Sequence, residues 1–160
     1  MESSMFFAPV MGILALVFAF ILAAKVNKED EGIDRMKEIA QAIREGAQAF
    51  LSAEYKILVI FAGILFVVIG LGIDWATAVC FVVGAVFSTL AGYFGMNVAT
   101  KANVRTSNAA RVGGMNRALS IAFSGGAVMG MSVVGLGLFG VSIIYIITGN
   151  VEILAGFSLG

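Results

Sequence analysis

The chain has 160 residues, 60% of them apolar and 12% charged, with ten basic and ten acidic residues and a mean hydropathy of +1.01. A soluble domain carries about 45–50% apolar and about 25% charged residues, so an ordinary water-soluble globule is excluded. The absence of histidine and the presence of a single cysteine, Cys80, exclude an internal disulfide and a Cys/His metal site; Cys80, inside an apolar run, reads as a small buried residue.

The first element is Met5 to Ala24, 20 uncharged residues, enough to cross a hydrocarbon core about 30 Å thick. A secretory signal places positive charge before its apolar run. Here Glu2 precedes the run and Lys25 and Lys28 follow it, so the segment, taken as 5–25, is expected to stay as a membrane span.

The next stretch mixes charge, amide and small apolar residues. Ile33, Met36, Ala40, Ile43, Ala47, Phe50 and Glu54 recur at steps of three and four, and all but Glu54 are apolar. That spacing predicts an amphipathic helix, with Glu31 and Arg35 placed to pair at i, i+4. Only Gly46 interrupts it before Ile57, so one long helix is expected from about residue 33, running into a second span over 57–73. A helix lying on the membrane surface is the alternative reading.

A third span is expected over 75–99 and a fourth over 118–147, ended by the turn cluster Thr148, Gly149 and Asn150. Val151–Gly160 opens a fifth apolar segment. The fold class is therefore an all-α, polytopic membrane protein with four transmembrane helices and the start of a fifth, in a single region over 1–160. Ten helical residues cover only about half of the hydrocarbon core. Ending there leaves carbonyls and a carboxylate in lipid, so the chain is expected to be the front of a longer one.

All ten Lys and Arg fall in two connections, 25–56 and 100–117. The positive-inside rule places both in the cytoplasm and the N-terminus outside. Trp75 and Tyr145 then lie near the outer interface and Tyr55 near the inner one.

Two motifs suggest phosphate chemistry only by spelling. Gly135–Gly140, GLGLFG, matches G-x-G-x-x-G, but no strand precedes it; it reads as a groove for a neighbouring helix. Gly126 and Gly130 within SGGAVMG likewise read as close helix packing. The basic residues of Thr100–Arg111 could draw anionic lipid or an anionic substrate, although fixing topology is a sufficient role. The first four spans hold no Asp, Glu, Lys, Arg or His, whereas an ion path displays such groups. These helices therefore read as scaffold, with the chemistry elsewhere.

Three stretches carry a family likeness: EIAQAIREGAQAFLSAEYK (Glu38–Lys56), GMNVATKANVRTSNAAR (Gly95–Arg111) and AFSGGAVMGMSVVGLGLFG (Ala122–Gly140). With their spacing, they resemble the N-terminal portion of the membrane-integral, ion-pumping pyrophosphatases. The resemblance implies a homodimer of sixteen-helix subunits in the cell inner membrane, with these spans in an outer ring. It implies hydrolysis of pyrophosphate on the cytoplasmic side with magnesium, potassium as an optional activator, and outward transport of sodium ions or protons. No nucleic-acid partner is implied. The family's site motifs would lie beyond Gly160, so none is carried over, and residues 1–160 alone are expected to be inactive. Two rivals remain open at this point: a complete non-enzymatic scaffold subunit, and a rotary-ATPase proteolipid, which would need a carboxylate inside a span.

Overall fold

A computed structural model describes residues 7–160; Met5 and Phe6 of the expected first span lie outside the described residues. Helix α1 is Phe7–Lys28. Pro9 sits in its first turn, where a missing N–H costs nothing, and Lys25 and Lys28 close its last turn, where positive charge suits the helix dipole. Gly32, at φ +88°, turns the chain into α2, Asp34–Gly72. At about 1.5 Å per residue α2 is about 58 Å long, twice what a bilayer core requires.

Helix α3, Trp75–Thr148, is two arms, 75–113 and 115–148, joined at Gly114 with φ 77° and ψ 177°. That backbone region is open essentially to glycine alone. The arms fold back on each other. Ala109 packs with Ala118 and Ile121, and further along Val98 and Ala102 pack with Val128. Gly149, at φ 61°, ends the second arm, its N–H donating to Tyr145 O. Asn150 then caps the short α4, Val151–Leu159, by accepting from the Glu152 N–H.

The all-α membrane architecture is thus present, but the expected count of four spans and part of a fifth appears as three long apolar helices and one short one. Two expected spans share α3 because the 100–117 connection is helical except at Gly114. The connection expected to be a loop is instead the far end of a helical hairpin.

Helix α3 is the hub on which the others pack. α1 meets its second arm through mutual glycines: a Cβ on Gly12 would stand 2.9 Å from Gly135 O, and one on Gly135 would stand 3.0 Å from Gly12 O. The C-terminal part of α1 joins Val26 to Val98, Ala102 and Val128. α4 inserts Phe157 between Gly84, Gly140 and Phe87. Gly135 and Gly140 therefore do form helix grooves. Gly126 and Gly130 do not: neither has an atom within 4 Å of a built Cβ, and Gly125 makes the contact to Ala102 instead. Cys80 is half-buried rather than buried.

The lower half of α2 is rotated from its expected face. Met36, Ala40 and Ala47 do turn inward, but with Arg44, Leu51 and Tyr55, while Ile33, Ile43 and Phe50 are exposed. The physical reason is Arg44, whose guanidinium turns toward Glu31 and draws the buried line one position along the helix. Glu31 and Arg35 do not pair: Glu31 precedes the helix, and Arg35 bonds Glu38 at 2.6 Å instead.

Candidate functional site: an ion-pair junction at the hairpin end

The two basic connections come together at one end of the molecule. The link is the acidic run Glu29-Asp30-Glu31, which joins α1 to α2 and lies against the first arm of α3. Arg105 is its centre. The residue is only 8% exposed, yet every nitrogen of its guanidinium is engaged. Nε donates to Glu29 O at 3.0 Å, Nη1 to Lys101 O at 2.8 Å, and Nη2 to Asn27 O at 3.5 Å. Nη2 also stands 3.1 Å from Glu31 Oε1.

Neighbours complete the junction. Arg44 reaches Glu31 at 3.5 Å and Arg117 reaches Glu29 at 2.8 Å. The buried Asn108 donates to Asp30 O at 3.2 Å and accepts from Arg111 at 3.0 Å. Gly32 N–H closes the turn onto Asp30 Oδ1. Among the described residues, Arg44 Nε is the buried side-chain nitrogen left without a partner.

Chemically this is a clamp. A buried guanidinium must be surrounded by acceptors to be tolerated, and here two of the four are carbonyls at the end of α1. A magnesium ion does not fit the acidic run. Glu29 and Glu31 already face guanidinium groups, and among the described residues no three His, Cys, Asp or Glu side chains gather to hold a metal.

Arg105 was not singled out in the sequence, although a signal for it exists. Ala91, Gly95, Val98, Ala102, Arg105 and Ala109 follow one another at steps of three and four, so Arg105 lies on the small-residue face that packs inward. Of the basic residues in Thr100–Arg111, Arg105 is absorbed by the clamp; Lys101 and Arg111 make no ion pair among the described residues. At the opposite end, Trp75 packs on Phe66 in a tilted arrangement, ring centres 5.7 Å apart and planes at 59°, and covers Gly70. Tyr55 donates to Thr89 O at 3.1 Å.

Long apolar helices with exposed Phe, Ile and Val along them, charges confined to connections, and a polar clamp at one end define a polytopic helical membrane protein. The profile of the family described as inorganic H+ pyrophosphatase matches residues 13–160, and the chain belongs to that family. It is 55% identical, over its whole length, to a Clostridium tetani protein put forward as a K(+)-stimulated pyrophosphate-energized sodium pump, of which it covers 24%. It is 43% identical over its whole length to a K(+)-insensitive pyrophosphate-energized proton pump of Methanosarcina mazei, again covering 24%. Over 86% of the chain it is 42% identical to the K(+)-stimulated pyrophosphate-energized sodium pump of Thermotoga maritima, covering 19% of that protein. The chain thus spans about a quarter of the length of the curated relatives it matches. Neither the scaffold-subunit nor the proteolipid reading is favoured by these matches.

Proposed function

We propose that this chain is the N-terminal quarter of a membrane pump that hydrolyses pyrophosphate to two phosphates and uses the energy to move sodium ions or protons outward. The observation that carries this is the family match over 13–160 together with relatives of both ion types. Within that pump the present region is a single unit and acts as scaffold, in the outer of two helix rings of a homodimeric, sixteen-helix subunit. It contributes no catalytic, metal-binding or substrate-binding residue. Magnesium, and potassium where it stimulates, are held elsewhere in the subunit.

The orientation follows from charge. With the clamp and both basic connections in the cytoplasm of an inner-membrane protein, the N-terminus and the 148–150 turn face outward. Hydrolysis then takes place on the side where the clamp lies.

The test is phosphate release and ion uptake by the full-length protein in inverted membrane vesicles. Added pyrophosphate is expected to drive accumulation of sodium or acidification of the lumen, with hydrolysis speeded by the matching ionophore. Residues 1–160 purified alone are expected to insert but not hydrolyse. A full-length protein that leaves pyrophosphate intact overturns the reading.

A further inference from the structure

α1 has two sides of different make. Gly12, Ala15, Ala19 and Val26 are buried against α3. On the opposite side Leu14, Val17 and Ile21 follow one another at steps of three and four, 54%, 50% and 57% exposed. The same line continues at the same steps to Lys25 and Lys28, which are also exposed. Small residues are what lets a second helix come close in lipid, yet no glycine or alanine is among the exposed residues of α1. Its outer side is therefore made for fluid chains rather than for another backbone.

From Leu14 to Lys25 the line is about 16 Å long at the helical rise, half of a hydrocarbon core about 30 Å thick. That is the reach of the acyl chains of one leaflet. The two lysines stand where the apolar run ends, and their flexible stems keep the ammonium groups at the interface. They are also free. Glu29, next to Lys28 in the chain, pairs with Arg117, and Glu31 pairs with Arg44 and Arg105. Asp30 Oδ1 accepts from the Gly32 N–H. The acidic run thus takes its arginines from α2 and α3, and Lys25 and Lys28 have no ion pair among the described residues. Two unpaired cations at the foot of a leaflet-long apolar line match the layout of a phospholipid with a negative headgroup.

We propose that this side of α1 holds an anionic phospholipid of the inner leaflet, with an acyl chain along Leu14, Val17 and Ile21 and the phosphate on Lys25 and Lys28. The choice of leaflet rests on the orientation given in the proposed function, and the cytoplasmic leaflet is the one rich in anionic lipid. Each lysine at such a surface favours a negative headgroup by roughly fivefold. A helix of the pump, a second copy of the subunit, or a free anion on the lysines are the competing occupants.

The test uses the full-length protein in nanodiscs of phosphatidylcholine with a minority of phosphatidylglycerol, and a photoactivatable benzophenone amino acid in place of Ile21. Illumination followed by mass spectrometry is expected to find lipid adducts, with phosphatidylglycerol severalfold above its share of the disc. Lys25→Gln together with Lys28→Gln should return the adducts to that share, and Lys25→Arg together with Lys28→Arg should keep the enrichment. If the glutamine pair does not fold, about 1 M salt should abolish the enrichment in the protein with both lysines, by screening exposed charges. Adducts to polypeptide, lipid adducts in bulk proportion, or an enrichment that survives the glutamine pair or the salt overturn the proposal. Loss of the enrichment on adding pyrophosphate at constant ionic strength also overturns it, since the lysines then serve a free anion. Pyrophosphate hydrolysis by the unsubstituted pump in the same discs separates the two readings: an inactive parent sinks the proposed function, an active parent with unenriched lipid sinks only this proposal.

Discussion

Arg105 Nη2 stands 3.1 Å from Glu31 Oε1, and this pair fixes the start of α2 against the first arm of α3. α2 therefore depends on two kinds of attachment to α3. One is apolar, through Ile69, Ala78 and Phe81; the other is the polar clamp at the far end. Between them Tyr55 donates to Thr89 O.

Replacing Arg105 tests the clamp. Arg105→Ala strips four acceptors of their donor and leaves Glu31, 22% exposed, with only Arg44 for a partner. Breaking a buried pair from one side costs on the order of 3 kcal/mol. Arg105→Lys keeps the charge but loses the planar fork and should fall between. The exposed pair Arg35–Glu38 is the control, and Glu38→Gln should change stability by less than about 0.5 kcal/mol. Thermal unfolding of the three variants in one detergent checks the order.

Two glycines should respond in opposite directions to alanine. Gly32 has a positive φ, and a Cβ there would stand 2.7 Å from Asn108 Oδ1, so Gly32→Ala strains both the backbone and the clamp, by about 1–3 kcal/mol. Gly46 lies inside α2 with nothing near a built Cβ. Gly46→Ala should stabilise by about 0.5–1 kcal/mol through lower freedom of the unfolded chain. If both variants shift the unfolding midpoint downward, α2 is not continuous through Gly46.

The hairpin end makes the same kind of distinction between neighbours. Gly114→Ala places a side chain at φ 77°, ψ 177°, at a cost of about 1–3 kcal/mol. Gly113→Ala meets the Arg117 side chain, most closely its flexible Cδ at 2.7 Å, which can swing away. Trypsin cleavage at Arg111 and Arg117 should accelerate in Gly114→Ala and stay near the parent rate in Gly113→Ala.

How far these features were legible in the residues differs from one to the next. The apolar runs declared the helices, because lipid allows few other structures for a backbone. A reversal between the third and fourth spans was expected within 100–117, but its place at Gly114 was hidden because no turn cluster marks it; only the Gly113-Gly114 pair hints at a break. Helical periodicity located the amphipathic half of α2 but misjudged its face, since a period cannot show that Arg44 turns inward to a carboxylate thirteen residues earlier. The Glu29–Glu31 run stood in plain view, yet its partners lie far along the chain and are joined to it only by the fold. The family's chemistry was legible through the likeness of three stretches and not through any reactive group in them.

The last prediction concerns acid. Asp74 caps α3, accepting from the Thr77 hydroxyl and from the Thr77 N–H at 2.9 Å. The Thr77 side chain, then the backbone N–H groups, hold its carboxyl below the ordinary carboxylate range. A depressed folded value means that the charged form contributes stability above the unfolded value, about 3.9, and that this contribution fades as pH falls through the folded one. Exchange of the Thr77 amide hydrogen, referred to that of amides deeper in the same arm, should therefore hold steady from neutrality down to the ordinary carboxylate range and rise only below it. Asp74→Asn can still cap a helix start but has no proton to gain, so its relative exchange should be flat across the same range. Equal acid responses in the parent and in Asp74→Asn would show that the α3 cap does not depend on charge at Asp74.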